Sequence, residues 1–142
     1  MSDQWTRSAL QALKGHSVVY TSYPLIAAGV AAGTTLLNAG AADTFGVDTE
    51  IVPATIATEF WFCQVCVCAC SLAENYVVDI ERAGANTIFQ FRCSLTLVTP
   101  NLAPFSPMYP VRIAPLTQVT GRCASVSGAD TVDVSVLIAT GL

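Results

Sequence analysis

Charge is the scarcest property of this sequence. Only 11% of its 142 residues are charged, and lysine and arginine together number six, which leaves a formal net charge of −4. Ordinary globular chains carry about 25% charged residues. Affinity for a phosphate backbone depends on the number of cationic contacts. The composition therefore argues against nucleic acid as a partner.

Histidine is nearly absent, and this removes the common routes to catalysis. The single histidine, His16, has no partner for a Cys–His or Ser–His–Asp arrangement near it in the sequence. Paired carboxylates occur at Asp79 and Glu81 and at Asp130 and Asp133. Alternating carboxylates on a strand are typical of a solvated face, and no nucleotide-binding glycine loop is present. We expect no enzymatic activity, no cofactor and no bound metal.

Long apolar runs are also missing. The stretch from Leu25 to Ala42 is shorter than the roughly 20 residues of a membrane span, and glycines interrupt it. Basic residues upstream and small residues at its end also allow a signal peptide. We favour a weakly alternating strand and loop of a Gly/Ala-rich β protein, and we expect no membrane partner.

What the chain has in excess is apolar surface. Hydrophobic residues make up 53% of it, and the mean hydropathy is +0.56. With so few charged residues to cover the outside, much of the surface is expected to face other protein rather than water. The composition predicts a subunit of an assembly.

Short β-type runs separated by turn signals determine the predicted fold. The most legible stretch, Tyr109 to Ile138, contains three such runs and predicts an antiparallel meander in which Val134 faces the core. We predict an all-β fold, an antiparallel β-sandwich of jelly-roll or Greek-key type, with about eight strands. Residues 1–16 are expected to form a short N-terminal arm and residues 17–142 a single domain.

Four of the six cysteines lie in one strand-like run, Phe60 to Cys70 (FWFCQVCVCAC), which has no charge or turn residue. Strict alternation places Trp61, Cys63, Val65, Val67 and Ala69 on one face and the residues between them on the other. Successive sulfurs on one face are then about 6.5–7 Å apart, too far for one zinc ion or an easy disulfide. We interpret the cysteines as small apolar core residues, with disulfides involving Cys93 or Cys123 as the main alternative and a metal site as a minor one.

From about Ser17 onwards, the order of features resembles small β-sandwich virion proteins of tailed bacteriophages, described as structural or decoration proteins. The resemblance rests on an acidic strand, an aromatic strand, a strand ending in Asp-Ile, a proline-rich loop, an aromatic-Pro-x-Arg-Ile block and a valine-rich strand. The chain departs from the family pattern at Pro115-Leu116-Thr117, where glycine is usual. The matching residues are Val47–Val52, Phe60–Phe62, Val78–Ile80, Tyr109–Ile113, Arg122, Ser125, Ser127–Ala129 and Val132–Val136.

The resemblance implies a non-enzymatic capsid decoration or cement protein. Its partners would be the major capsid protein and its own copies, as a homo-oligomer such as a trimer, on the capsid surface of the virion after assembly in the host cytoplasm. The alternatives are a tail, neck or head-fibre-base protein, or a carbohydrate-binding jelly-roll module. Arg112 and Arg122 could order a subunit boundary or form an intramolecular ion pair with Asp79 or Glu81. The candidate interface residues are Trp5, Arg7, Arg112, Arg122, Phe105 and Tyr109.

Overall fold

The computed structural model describes residues 18–24, 34–83, 86–98 and 104–141. These residues form nine β-strands and no helix, and hence no helix that could span a membrane. The predicted arm at residues 1–16 lies outside the described residues. The strands are β1 Val19–Tyr23, β2 Thr35–Asn38, β3 Thr49–Val52, β4 Phe60–Cys70, β5 Asn75–Arg82, β6 Asn86–Ser94, β7 Val111–Ile113, β8 Val119–Ser125 and β9 Thr131–Thr140.

The strands are divided between two antiparallel sheets, which confirms the predicted β-sandwich. In sheet A the order is β1-β9-β4-β7, with β2 also paired to β9 beyond the end of β1. In sheet B the order is β3-β8-β5-β6. Without β1, the eight strands β2 to β9 follow the order of a jelly roll, two Greek keys folded onto each other.

The core lies between the sheets and is built mainly of branched aliphatic and aromatic side chains. β5 turns Tyr76, Val78 and Ile80 inward, and β9 turns every second residue inward, including Val134. The alternation along both strands follows from the period of two in extended chain. The predicted inward position of Val134 in the last strand is confirmed.

Two irregularities in β4 make the strict alternation predicted for the cysteine strand wrong. The residues of β9 that pair with Phe62 and Gln64 are consecutive, and so are those that pair with Val67 and Ala69. Each β-bulge adds one unpaired residue to β4 and shifts the phase of its side chains. As a result, Phe62 and Val67 both face the core although they lie five residues apart.

The predicted C-terminal meander is also wrong in its pairing, although its three strands exist. β7 pairs with β4, β8 lies between β3 and β5, and β9 lies between β4 and the first two strands. Consecutive strands here belong to opposite sheets. Local turn signals show where each strand ends, but the choice of sheet depends on which distant strand it contacts.

Candidate functional site

A charge cluster is enclosed on the outer face of sheet B. Adjacent positions of β5 and β8 place Asp79 opposite Arg122. Nε and Nη2 of Arg122 lie 3.0 and 2.9 Å from Oδ2 of Asp79, and Nη2 lies 2.7 Å from Oε1 of Glu81. Asp79 is fully buried and Glu81 is 3% exposed. The solvated face predicted for these carboxylates is therefore wrong.

The cluster has more negative than positive groups, so some of its buried polar atoms have no hydrogen-bond partner. Oδ1 of Asp79, Oε2 of Glu81 and Oγ1 of Thr120 are buried without a partner. Burial raises the pKa of Glu81, and the nearby carboxylates of Asp48 and Asp79 add to the rise against the opposing effect of Arg122. Both carboxylates are thus enclosed within the fold rather than open to solvent.

A loop before β3 covers this cluster. Gly46 donates its N–H to the carbonyl of Cys123, and Asp43 donates its N–H to the carbonyl of Ser125, so the loop follows β8. This places the ring of Phe45 over the Arg122 guanidinium, 4.7 Å from the ring centroid, a cation–π contact. A Cβ at Gly46 would lie 1.8 Å from the carbonyl oxygen of Asn38, so only glycine allows this close approach.

Beside the loop, the outer face of sheet B forms an open groove of about 620 Å³. Val77 and Ala124, paired neighbours on β5 and β8, form an apolar floor. Gln90 and Arg92 of β6 line one wall, and Phe45 lines the groove from the loop side. Asn75, Ser94 and Asp43 add further polar groups. Sequence reasoning missed this groove because its walls come from strands and a loop far apart in the chain.

The proline-rich segment forms one margin of sheet A, which we call the proline margin and define as residues 104–110. It follows the free side of β4: Ser106 donates its N–H to the carbonyl of Val65, and Tyr109 donates to that of Cys63. Prolines recur at every third position, so the margin cannot offer a continuous ladder to a further strand. A contact at this margin therefore depends on side chains more than on backbone pairing.

Those side chains are large, apolar and open to solvent. Phe105 is 61% exposed, Met108 55% and Tyr109 53%. The Tyr109 ring stacks on Phe89 of sheet B, with centroids 5.8 Å apart, which fixes its position. At the end of the margin, Arg112 of β7 pairs with Glu59. An apolar centre beside a charged edge is the usual anatomy of a protein–protein contact.

All six cysteines are free thiols, but only Cys63 and Cys123 are buried. The interpretation of the cysteines as core residues is therefore confirmed for these two and wrong for the half-buried others. The expected spacing of their sulfurs is wrong at one place, because the second bulge of β4 brings Sγ of Cys66 and Cys68 to 3.8 Å. Burial and the neighbouring thiol raise the pKa of Cys66 to about 12, and burial raises that of Cys93 to about 11.

The structure separates the predicted interface residues. It brings Phe105, Tyr109 and Arg112 together at the proline margin. It places Arg122 on the other sheet, in the intramolecular ion pair that the sequence left as an alternative. Trp5 and Arg7 lie outside the described residues. Tyr20 and Val19 of β1 and Leu36 of β2, which the sequence did not single out, are exposed at the opposite margin of sheet A.

Comparisons with known proteins add little to this description. No protein-family model and no curated protein matches the sequence. Among solved structures, the chain is similar to the CBM36-1 domain of a multidomain xylanase from the hindgut metagenome of Trinervitermes trinervoides. The identity is 8% and the TM-score 0.37, over 89% of this chain and 98% of that domain. We base no functional argument on a similarity of this size.

Proposed function

We propose that this protein is a non-enzymatic structural subunit of a virion, a decoration or cement protein that binds the major capsid protein and its own copies. The observation that carries the proposal is the proline margin, with three large apolar side chains exposed within five residues. Single exposed apolar residues are ordinary, but a contiguous group with a charged edge fits a contact surface.

The position of the exposed apolar residues supports an assembly with neighbours on two sides. One group lies on the proline margin beside β4, and the other, Val19, Tyr20 and Leu36, lies on β1 and β2 at the opposite side of sheet A. Two different apolar surfaces on one subunit favour head-to-tail contacts, which close into a ring or extend over a lattice. A homo-oligomer such as a trimer would bury both surfaces.

Sedimentation of the purified protein tests this proposal. The wild-type chain should be an oligomer, and the double variant Phe105→Ser, Tyr109→Ser should shift towards monomer because the apolar anchors are lost. Val47→Ser is the matched control, since Val47 is 74% exposed in the loop before β3, away from the proline margin. A monomeric wild-type protein that does not bind capsids would contradict the proposal.

A tail, neck or head-fibre-base protein is the second structural candidate, because the same contact surface serves any part of a particle. Labelling of intact particles separates the two. A decoration protein should appear in many copies over the shell, whereas a tail or neck protein should appear in few copies at one vertex.

The groove on sheet B favours one candidate from another class, a carbohydrate-binding module. Its apolar floor at Val77 and Ala124 suits the flat face of a sugar ring, and Gln90, Arg92 and Asn75 supply hydrogen-bond donors for hydroxyl groups. Its volume of about 620 Å³ lies within the range of small-ligand sites. Phe45 lines its wall, and its ring already contacts Arg122.

A glycan array followed by calorimetry tests this second candidate. Binding that is lost in Gln90→Ala and Arg92→Ala but kept in Arg112→Ala, on the other sheet, would place a sugar in the groove. An array without hits, or binding unchanged in the groove variants, would exclude it.

A further inference from the structure

Two thiols lie side by side on the outer face of sheet A. Sγ of Cys66 and Cys68 are 3.8 Å apart, and Oγ of Ser135 on β9 lies 3.9 Å from Sγ of Cys68. Residues two apart in a regular strand hold their side chains about 6.5–7 Å apart. The bulge between Val67 and Ala69 removes that separation.

We propose that Cys66 and Cys68 are a modification site, at which a low-molecular-weight disulfide such as oxidised glutathione converts the two thiols into an intrachain disulfide. Both side chains are half-buried, whereas Cys63 and Cys123 are buried. The sulfurs have to approach from 3.8 Å to about 2.05 Å, which rotation of the side chains supplies together with a small adjustment at the bulge.

An access route lies next to the pair. A cleft of about 90 Å³ opens on this face and is lined by Cys66, Phe105 and Ser135, among others. Phe105 is also the β-bridge partner of Cys66. The Cys66 side of the pair therefore borders a solvent-accessible opening next to the proline margin.

The chemistry balances in two exchange steps. Cys68 reacts first, because burial and the neighbouring thiol raise the pKa of Cys66 and so disfavour its thiolate. Cys68 loses its proton, and its sulfur attacks a sulfur of the oxidant, forming a mixed disulfide and releasing one glutathione thiolate. The second cysteine then loses its proton and attacks the protein sulfur of the mixed disulfide, releasing the second glutathione thiolate. Both thiolates take up the protons, so two protein thiols are oxidised and one glutathione disulfide is reduced.

The consequence is local. The new ring spans only three residues, so it removes little entropy from the unfolded chain and adds little global stability. It fixes the strand directly beside Phe105, and so gives the proline margin an oxidised and a reduced state. This consequence rests on the proposed docking function, but the disulfide itself does not.

The test is to incubate the folded full-length protein with oxidised glutathione and count its thiols. The number of free thiols per wild-type chain should fall from six to four. On a denaturing gel without reductant, the chain should still migrate as a monomer. Mass spectrometry should link Cys66 to Cys68 within one chain. Retention of all thiols, or a link between other cysteines such as Cys70 and Cys93, would overturn the proposal.

Variants separate this site from general oxidation. Cys93→Ser should still lose two thiols, since Cys93 lies on β6 of the other sheet. Cys66→Ser and Cys68→Ser should retain all their remaining thiols or carry one glutathione on the surviving cysteine. Intrachain disulfide formation in either of these variants would contradict the assignment.

Discussion

Removing the cation from the buried charge cluster should destabilise the fold by a large and pH-dependent amount. Arg122→Leu deletes the guanidinium that contacts Asp79 at 2.9 and 3.0 Å and Glu81 at 2.7 Å. Both carboxylates would remain buried without a counter-charge. Breaking a buried pair from one side costs about 3–5 kcal/mol, and we expect a loss in this range at pH 8.

The loss should shrink as the pH falls, because a protonated carboxyl no longer needs the cation. The pKa of Glu81 is already raised in the native protein, and losing Arg122 removes the main group that opposes the rise. Urea unfolding at pH 8 and pH 5 measures both values. The triple variant Asp79→Asn, Glu81→Gln, Arg122→Leu should recover much of the stability, since no unpaired charge remains.

The control is Arg112→Leu, which removes an exposed ion pair with Glu59 and should leave stability nearly unchanged. The reasoning would be refuted if Arg122→Leu cost less than about 1 kcal/mol at pH 8, the range of exposed pairs. A loss of the same size at both pH values would refute the role assigned to the two carboxylates.

Three further predictions concern the core, Glu81 and Gly46. Val134→Asp places an unpaired charge in the core and should prevent folding, as judged by circular dichroism. Val126→Asp, at a position 51% exposed, should fold. A folded Val134→Asp protein would show that the assigned faces are reversed. Glu81 holds its proton more strongly in the folded state, so its stabilising contribution is present below the unfolded pKa of about 4.3 and is lost as the pH rises through the raised folded pKa. The variant Glu81→Gln should therefore gain stability relative to wild type as the pH rises. A stability difference that does not change with pH would count against this. Gly46→Ala forces a Cβ against the Asn38 carbonyl and should cost about 1–3 kcal/mol by displacing the loop from Arg122; thermal unfolding measures it, and an unchanged melting temperature would contradict it.

The fold class could be predicted from the sequence because each strand has a recognisable residue pattern of its own. Alternation along β5 and β9 identifies the inward residues, and prolines and turn clusters identify where strands end. Nothing local reports which sheet a strand joins, so β7, β8 and β9 were predicted as neighbours although they alternate between sheets.

The candidate sites were less accessible, for reasons of packing. The two bulges in β4 depend on its partner β9, and without them Cys66 and Cys68 would lie apart. The burial of Asp79 and Glu81 depends on Arg122 and on the loop that carries Phe45. The sequence suggested Phe105 and Tyr109 as candidate interface residues but did not predict their exposure. A proline-rich run alone does not determine which side chains face solvent.

The most direct test of the proposed function is a reconstruction of virus particles assembled in cells that express this chain. The proposal predicts density for the jelly roll on the outer shell, in many copies, with Phe105, Met108 and Tyr109 buried against a neighbouring copy or the major capsid protein. Particles that lack the chain, or copies whose proline margin faces solvent, would contradict the proposal.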